Sequence, residues 1–200
     1  MSSTQDQAFA IQTFAIRASK GDVEAFRLLV QEHSGLVYRV ALRILGVQDA
    51  QDASQEVWIR VWRNIRDFRG DSAFTTWLYR ITVNTCLSVR RKESRRGERE
   101  YSGDEMPFLP EPRGDDADPE AAALGAEQRE EIQAALGHVR AEHRAALVLR
   151  HMEGLSYAEI ARVLGVPDGT AKGWASRGRA AMLIALAEEN HGRHGAGGTT

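Results

Sequence analysis

Residues 156–174 read SYAEIARVLGVPDGTAKGW. Ser156 and Glu159 stand three apart, the spacing of a capping box that opens a helix. Ile160 and Leu164 recur on one side and face a core. Ala161 is small enough to let a second helix approach. Gly165 makes the turn, and Val166 packs beneath it. Thr170 can cap a following helix on which Ala171 and Trp174 point inward, while Lys172, Ser176, Arg177 and Arg179 point outward. A tight helix pair of this kind presents its second helix to a major groove. Arginine and lysine on the outer face reach guanine edges or phosphates there. An ordinary helical hairpin with a solvated face is the plain alternative. The number of constrained positions satisfied in one window favours a helix-turn-helix that binds DNA.

Outward from this motif the chain divides by composition. Residues 120–188 are rich in Ala and Leu at helical spacing, with helices expected at about 120–136 and 141–152, a short one after Ser156 and a last one to about Glu188. Residues 189–200 are a glycine-rich tail, expected to be disordered. Residues 93–119 show no sustained apolar period and carry Pro107, Pro110, Pro112 and Pro119. The segment opens basic at Arg95, Arg96 and Arg99 and turns acidic from Asp104 to Glu120, as a linker between two domains does. Its 27 residues can extend to roughly 90 Å at ~3.3 Å each. Residues 1–19 form an N-terminal segment without further assignment.

Residues 20–92 are dense in apolar and aromatic side chains and are expected to form a second helical domain, making the whole an all-α protein of two small domains. Asp22 can cap a helix with apolar positions Val23, Phe26, Leu29 and Val30. Leu36, Val37, Val40, Ala41, Ile44 and Leu45 form a helical stripe that Gly46 can stop. A third helix is expected from Asp49, with Asp52 in a box-like position, through Val57, Val61, Trp62 and Ile65. FRGDS, residues 68–72, reads as a turn, and Asp71 or Ser72 can cap a fourth helix over 73–92. On that helix Phe74, Leu78 and Ile81 form an apolar face. Thr76, Arg80, Asn84, Ser88, Arg91 and Lys92 form a polar stripe, which suits a nucleic-acid strand because Arg holds phosphates and Asn reads base edges.

Composition excludes several classes. Apolar residues make up 42% of 200 and charged residues 27%, enough for a packed core, and a formal charge of −2 argues against a uniformly basic nucleic-acid coat. One cysteine, Cys86, excludes a disulfide framework and fits a reducing cytoplasm; on a packed helix it reads as a small core residue. The first residues, MSSTQDQAFAIQ, hold no basic run followed by an apolar core, so no signal peptide is expected. No apolar run approaches the ~18 residues that span a bilayer. Phosphate-binding loops, GxSxG and HExxH are absent, and His138, His143 and His151 lack ligand spacing. No enzyme activity, small-molecule substrate, cofactor or metal site is expected.

Three segments together, DASQEVWIRVW, FRGDSAFTTWLYRITVNTCLSVRRK and EGLSYAEIARVLGVPDGT, resemble extracytoplasmic-function (ECF) sigma factors, compact members of the sigma-70 family of bacterial transcription initiation factors. The resemblance covers about residues 20–92 and 120–185. It implies a region 2 domain that binds core RNA polymerase and the −10 promoter element, and a region 4 domain that binds the −35 element. By resemblance, Asp52, Gln55 and Glu56 belong to the polymerase-binding helix, their i, i+3, i+4 spacing placing them on one face, and Trp58 and Trp62 extend that patch unless they are core. The turn Phe68, Arg69, Gly70, Asp71, Ser72, Ala73 and Phe74 resembles the family loop that captures a base flipped from the −10 element, with Asn84 beside that base. Arg80 and the run Arg90, Arg91 and Lys92 hold phosphates on this reading. In the second domain Thr170, Lys172, Ser176, Arg177 and Arg179 are expected at the −35 element. The usual family continuation after Gly169-Thr170 is Val-Lys-Ser-Arg-Leu; here Gly173 removes a side chain and Trp174 stands where a basic residue is usual, and its indole is expected to fill the inward space of the missing leucine. The resemblance also implies a cytoplasmic protein that acts in a stress or envelope-signal response under an anti-sigma partner. A two-domain regulator acting without polymerase would account for residues 156–179 but not for FRGDSAF or the Asp52–Glu56 face.

Overall fold

The computed structural model describes residues 2–97 and 119–195, with side chains over 6–92 and 128–188. Among these the chain is all-α, built as two helical halves. The first holds α1 (Ser2–Ser19), α2 (Val23–Leu45), α3 (Val47–Asn64), a 3-10 turn (Ile65–Asp67) and α4 (Phe74–Gly97). The second holds α5 (Pro119–Gly137), α6 (Ala141–His151), α7 (Tyr157–Leu164) and α8 (Asp168–Gly195). The segment expected to be a linker lies outside the described residues from 98 to 118, while 93–97 continue α4. The last helix runs beyond Glu188 to Gly195, so most of the tail expected to be disordered is helical.

Several starts and stops follow local chemistry. The Asp22 carboxylate accepts from the Ala25 N–H and opens α2. The two apolar stretches expected as separate helices are one continuous α2, which crosses Gly35. A mid-helix glycine costs about 1 kcal/mol of propensity, and burial of Leu29, His33, Val37 and Val40 on either side overrides it. α3 begins two residues before Asp49, directly after Gly46, and its N-terminus has no side-chain cap. In the second half the Ser156–Glu159 box forms in full: Ser156 Oγ accepts from the Glu159 N–H at 3.3 Å, and Glu159 Oε2 accepts from the Ser156 N–H at 2.8 Å. The Ser156 bonds hold the Glu159 carboxyl below its ordinary value. Gly165 ends α7 at φ 67°, ψ 37°, a left-handed conformation that glycine adopts without a Cβ penalty. α8 starts at Asp168, so Thr170 lies inside its first turn and is not its cap.

α1, absent from the sequence reading, completes the first core. Ala15 and Ala18 of α1 pack with Ala25, Leu29, Val37, Val57, Val61, Ile65, Phe68, Phe74 and Leu78. A second buried cluster runs across both halves. It joins Val40, Ile44, Tyr79, Val83 and Cys86 to Ala145, Leu149, Leu155, Ile160, Ala161, Ala171 and Ala175. Cys86 is fully buried there, and burial pushes its thiol up to about 12, so it is an unreactive core residue.

Polar groups close the same seam. Arg144 of α6 is 3% exposed, and its guanidinium donates to the carbonyls of Ile44 at 2.8 Å, Gly137 at 2.6 Å and Val139 at 3.0 Å. It thereby satisfies open carbonyls at the C-terminal ends of both α2 and α5. Burial lowers its pKa to about 10, which leaves it charged at neutral pH. Glu153 accepts from Arg39 Nε and Nη2, both at 3.2 Å, and from the Tyr79 hydroxyl at 2.8 Å. The halves are thus packed together by α2 and α4 against α6 and α7, not held apart.

Candidate nucleic-acid interface

Three polar faces stand clear of the cores. On α3, Asp52 and Gln55 are exposed and Glu56 is partly exposed, on the side opposite the buried Ala53, Val57 and Val61. Glu56 pairs with Arg60 one turn on, Oε1 to Nε 2.7 Å. Trp58 and Trp62 both meet Phe26 edge-on, at centroid distances of 6.2 and 4.7 Å. Trp58 is half-buried on the core, whereas Trp62 remains 48% exposed and extends the polar face with an apolar one.

The second face is the loop after the 3-10 turn together with α4. Arg69, Asp71 and Ala73 are exposed, and Gly70 and Ser72 are partly so. Phe68 and Phe74 differ: they are 5% and 1% exposed, with their rings edge-to-face at 5.7 Å. They form the floor of the loop and cannot present their rings to a ligand, which corrects their expected place among contact residues. The apolar pattern that fits a stacking surface fits a core equally, and the core takes them. Trp77 leans on both, 5.5 Å from Phe68 and 5.9 Å from Phe74, and keeps part of its surface open beside the loop.

Neither Asp71 nor Ser72 caps α4. The Phe74 N–H donates instead to Oε1 of Gln12 on α1, at 3.0 Å. The same Gln12 donates through Nε2 to the carbonyls of Ser72 at 3.1 Å and Gly70 at 3.4 Å. Gly70 has φ +84°, and a Cβ added there would lie 3.2 Å from Ile16 Cδ1. The positive φ calls for glycine, and a Cβ would also press on the end of the Ile16 side chain. Sequence reasoning missed Gln12 because its three partners lie about sixty residues away. The only sequence signal was the helical spacing of Ile11, Ala15 and Ala18 around it.

Along α4, Arg80, Asn84, Arg91 and Lys92 are exposed, while Thr76 and Ser88 are partly covered. Steps of 100° per residue keep them on one side of the helix. Arg90 stands off this stripe. It is half-buried and lines a hollow with Leu45, Gly46, Val47, Gln48 and Asp49, so the structure does not bring it into line with Arg91 and Lys92.

The third face is on α8. Lys172, Ser176 and Arg179, at i, i+4 and i+7, are exposed, with Arg177 beside them and Thr170 partly covered at the start. The buried side is Ala171, Ala175 and Gly178. Trp174 is only partly buried. It packs on the margin of the shared core, its ring 6.2 Å from that of His143. The inward position is therefore Ala175, and the expectation that the Trp174 indole fills the core is corrected: α6 comes closest at Gly178, where a Cβ would lie 2.6 Å from the His143 carbonyl oxygen, and the turn above it is filled by Ala175. Arg177 folds back, its Nε 3.4 Å from His143 Nε2 and its guanidinium over Gly173. Burial first, then the charges of Arg177 and Arg140, lower the His143 pKa, which favours the neutral imidazole as acceptor.

None of the described helices is long and apolar enough to cross a membrane. The Sigma-70 region 2 family model matches residues 29–96, and the Sigma-70 region 4 model matches residues 129–182. The chain is 36% identical over 190 residues to the RNA polymerase sigma-H factor of Pseudomonas aeruginosa, covering 92% of this chain and 95% of that protein. It is 34% identical over 181 residues to the ECF RNA polymerase sigma-E factor of Escherichia coli K12, covering 86% and 91%. Among solved structures it is similar to CnrH, seen in complex with the cytosolic domain of CnrY, with a TM-score of 0.61 and 26% identity over 90% of this chain and 98% of that one. The sigma factor RpoE of Bartonella quintana, in complex with the anti-sigma factor NepR, shares the fold with a TM-score of 0.64 and 22% identity over 81% and 96%. Two family models in the expected order and relatives matched over nearly their full length give one conclusion: this chain belongs to the ECF sigma factors of the sigma-70 family, transcription initiation factors and not enzymes.

Proposed function

We propose that the three exposed faces divide the work of initiation. The α3 face of Asp52, Gln55, Glu56 and Trp62, with Trp58 behind it, binds core polymerase. The loop tip of Arg69, Gly70, Asp71, Ser72 and Ala73 takes a base flipped from the −10 element, and Arg80, Asn84, Arg91 and Lys92 hold and read the opened strand. Lys172, Ser176, Arg177 and Arg179 meet the −35 duplex. The observation that supports this reading is that each face is solvent-accessible and stands on a different helix, while the side chains beneath are buried. Residues 20–92 and 120–188 serve as the two binding domains, and the intervening segment sets their reach.

The packed seam of Arg39, Tyr79, Arg144 and Glu153 is the resting arrangement on this reading, and it separates when both promoter elements are engaged. An anti-sigma partner follows from the family. CnrH, similar over nearly its whole length, was captured with the cytosolic domain of another protein. The site of action is the cytoplasm, where promoters and polymerase are. The test is run-off transcription with purified core polymerase, this chain and a promoter library, with sequencing of the transcript starts. Starts at a fixed distance from paired −10 and −35 elements are expected. Starts that ignore both elements would refute the assignment.

A further inference from the structure

Gln12 hydrogen-bonds across the 68–74 loop, from Gly70 to Phe74. Its amide nitrogen donates to Ser72 and Gly70, and its amide oxygen accepts from the N–H of Phe74. A primary amide carries two N–H donors and a carbonyl acceptor on one carbon without charge, so it can donate to two carbonyls and accept from an N–H at once. It does two jobs at once. It supplies the α4 N-terminus with an acceptor that Asp71 and Ser72 do not provide, and it ties down two carbonyls of a loop whose tip is otherwise exposed. Its own helix is held against the loop by burial of Ala15 and Ala18 in the cluster that includes Phe68 and Phe74, with Ile16 packed against it.

We infer that Gln12 is a positioning residue for promoter opening, setting the shape of the loop that receives the flipped −10 base. The inference rests on the proposed role of that loop. Holding the loop in one conformation before binding removes an ordering cost that a free loop would incur when it captures a base. The same fixed shape makes the loop selective, because only a base that fits it is held.

The experiment uses the full chain with core polymerase. Open-complex formation is measured on a set of promoters that vary each −10 position, for the parent and for Gln12→Ala, Gln12→Glu and Asp71→Ala. Gln12→Glu keeps the acceptor for Phe74 but turns both donors into an acceptor facing two carbonyls. It therefore separates helix capping from loop fixing and remains informative if Gln12→Ala folds poorly. Both Gln12 variants are expected to bind core polymerase and −35 duplex as the parent does. Both are expected to lose opening on the order of tenfold on the best promoter, as one or two lost hydrogen bonds imply, and to flatten the preference at a single −10 position. The same position is expected to respond to Asp71→Ala. If Asp71→Ala alters that preference and a folded Gln12→Glu does not, the loop role stands and the Gln12 proposal is overturned. If neither changes any −10 preference, the loop role fails and the proposal falls with it.

Discussion

Gly178 and Gly173 lie five residues apart on α8, and alanine at each should act in opposite directions. Alanine in a helix interior is normally better than glycine by about 1 kcal/mol. At Gly178 a Cβ would lie 2.6 Å from the His143 carbonyl oxygen, 3.1 Å from its carbon and 3.1 Å from Leu147 Cβ. Ordinary carbon contacts are ~3.5–4.0 Å, so α6 and α8 must part by roughly 0.5–1 Å. The obstacle is backbone, which cannot rotate away. Overpacking of this kind costs ~1–3 kcal/mol. After the propensity gain, a net loss of about 1–2 kcal/mol remains for Gly178→Ala. For a chain of this size that lowers the melting temperature by roughly 2–8 °C. At Gly173 the nearest atoms are the Arg177 guanidinium nitrogens, at 3.3 and 3.4 Å, the far end of a flexible side chain. Gly173→Ala should therefore keep most of the propensity gain and melt roughly 2–3 °C higher. Thermal melts of the two full-length variants by circular dichroism give the comparison. If Gly178→Ala melts at or above the parent, the close approach of α6 and α8 does not govern this helix and the reasoning is wrong.

Four further outcomes are expected. Alanine at Asp52, Gln55 and Glu56 together should abolish core polymerase binding in a pull-down while shifting the melt by less than about 2 °C, because exposed substitutions and the surface Glu56–Arg60 pair contribute little; normal polymerase affinity would remove the α3 assignment. Asn84→Ala should relax preference within the −10 element and spare −35 duplex binding. Arg177→Ala should cost ~1–3 kcal/mol at one −35 position if its guanidinium swings off His143 to read a guanine, and a uniform loss across sequences in an anisotropy titration would make it a phosphate contact instead. Glu153→Ala should loosen the seam, since it leaves the Tyr79 hydroxyl and Arg39 without their acceptor at a cost of ~1–3 kcal/mol. A larger radius of gyration by small-angle scattering is expected, and an unchanged profile would show that this contact does not hold the halves together.

The candidate site was legible where its signals are local. The polar stripe of α4 and the outward residues of α8 follow from helical spacing alone; Arg80, Asn84, Arg91, Lys92, Lys172, Ser176, Arg177 and Arg179 are exposed as expected, while Thr76 and Ser88 are partly covered. Misassignments arose where one pattern serves two ends. Phe68 and Phe74 look alike in sequence whether they stack on a base or on each other, and Trp174 looks inward until α6 is placed beside it. Arg90 belongs to a basic run in sequence but not in space, because one residue is 100° of rotation.

The sequence by itself determined the helical class, the Ser156–Glu159 start, the Gly165 turn and the Asp22 cap. Each depends on side chains within a few positions of one another, where chain geometry leaves little freedom. Only the tertiary structure decided that α1 clamps the loop through Gln12, that Ala175 and not Trp174 faces inward, and that the halves share one core closed by Glu153. Those outcomes turn on pairings between residues about 60, 35 and 114 positions apart. No local pattern names such a distant partner. A glutamine on a helix is one more polar residue until packing brings three unpaired backbone groups within its reach.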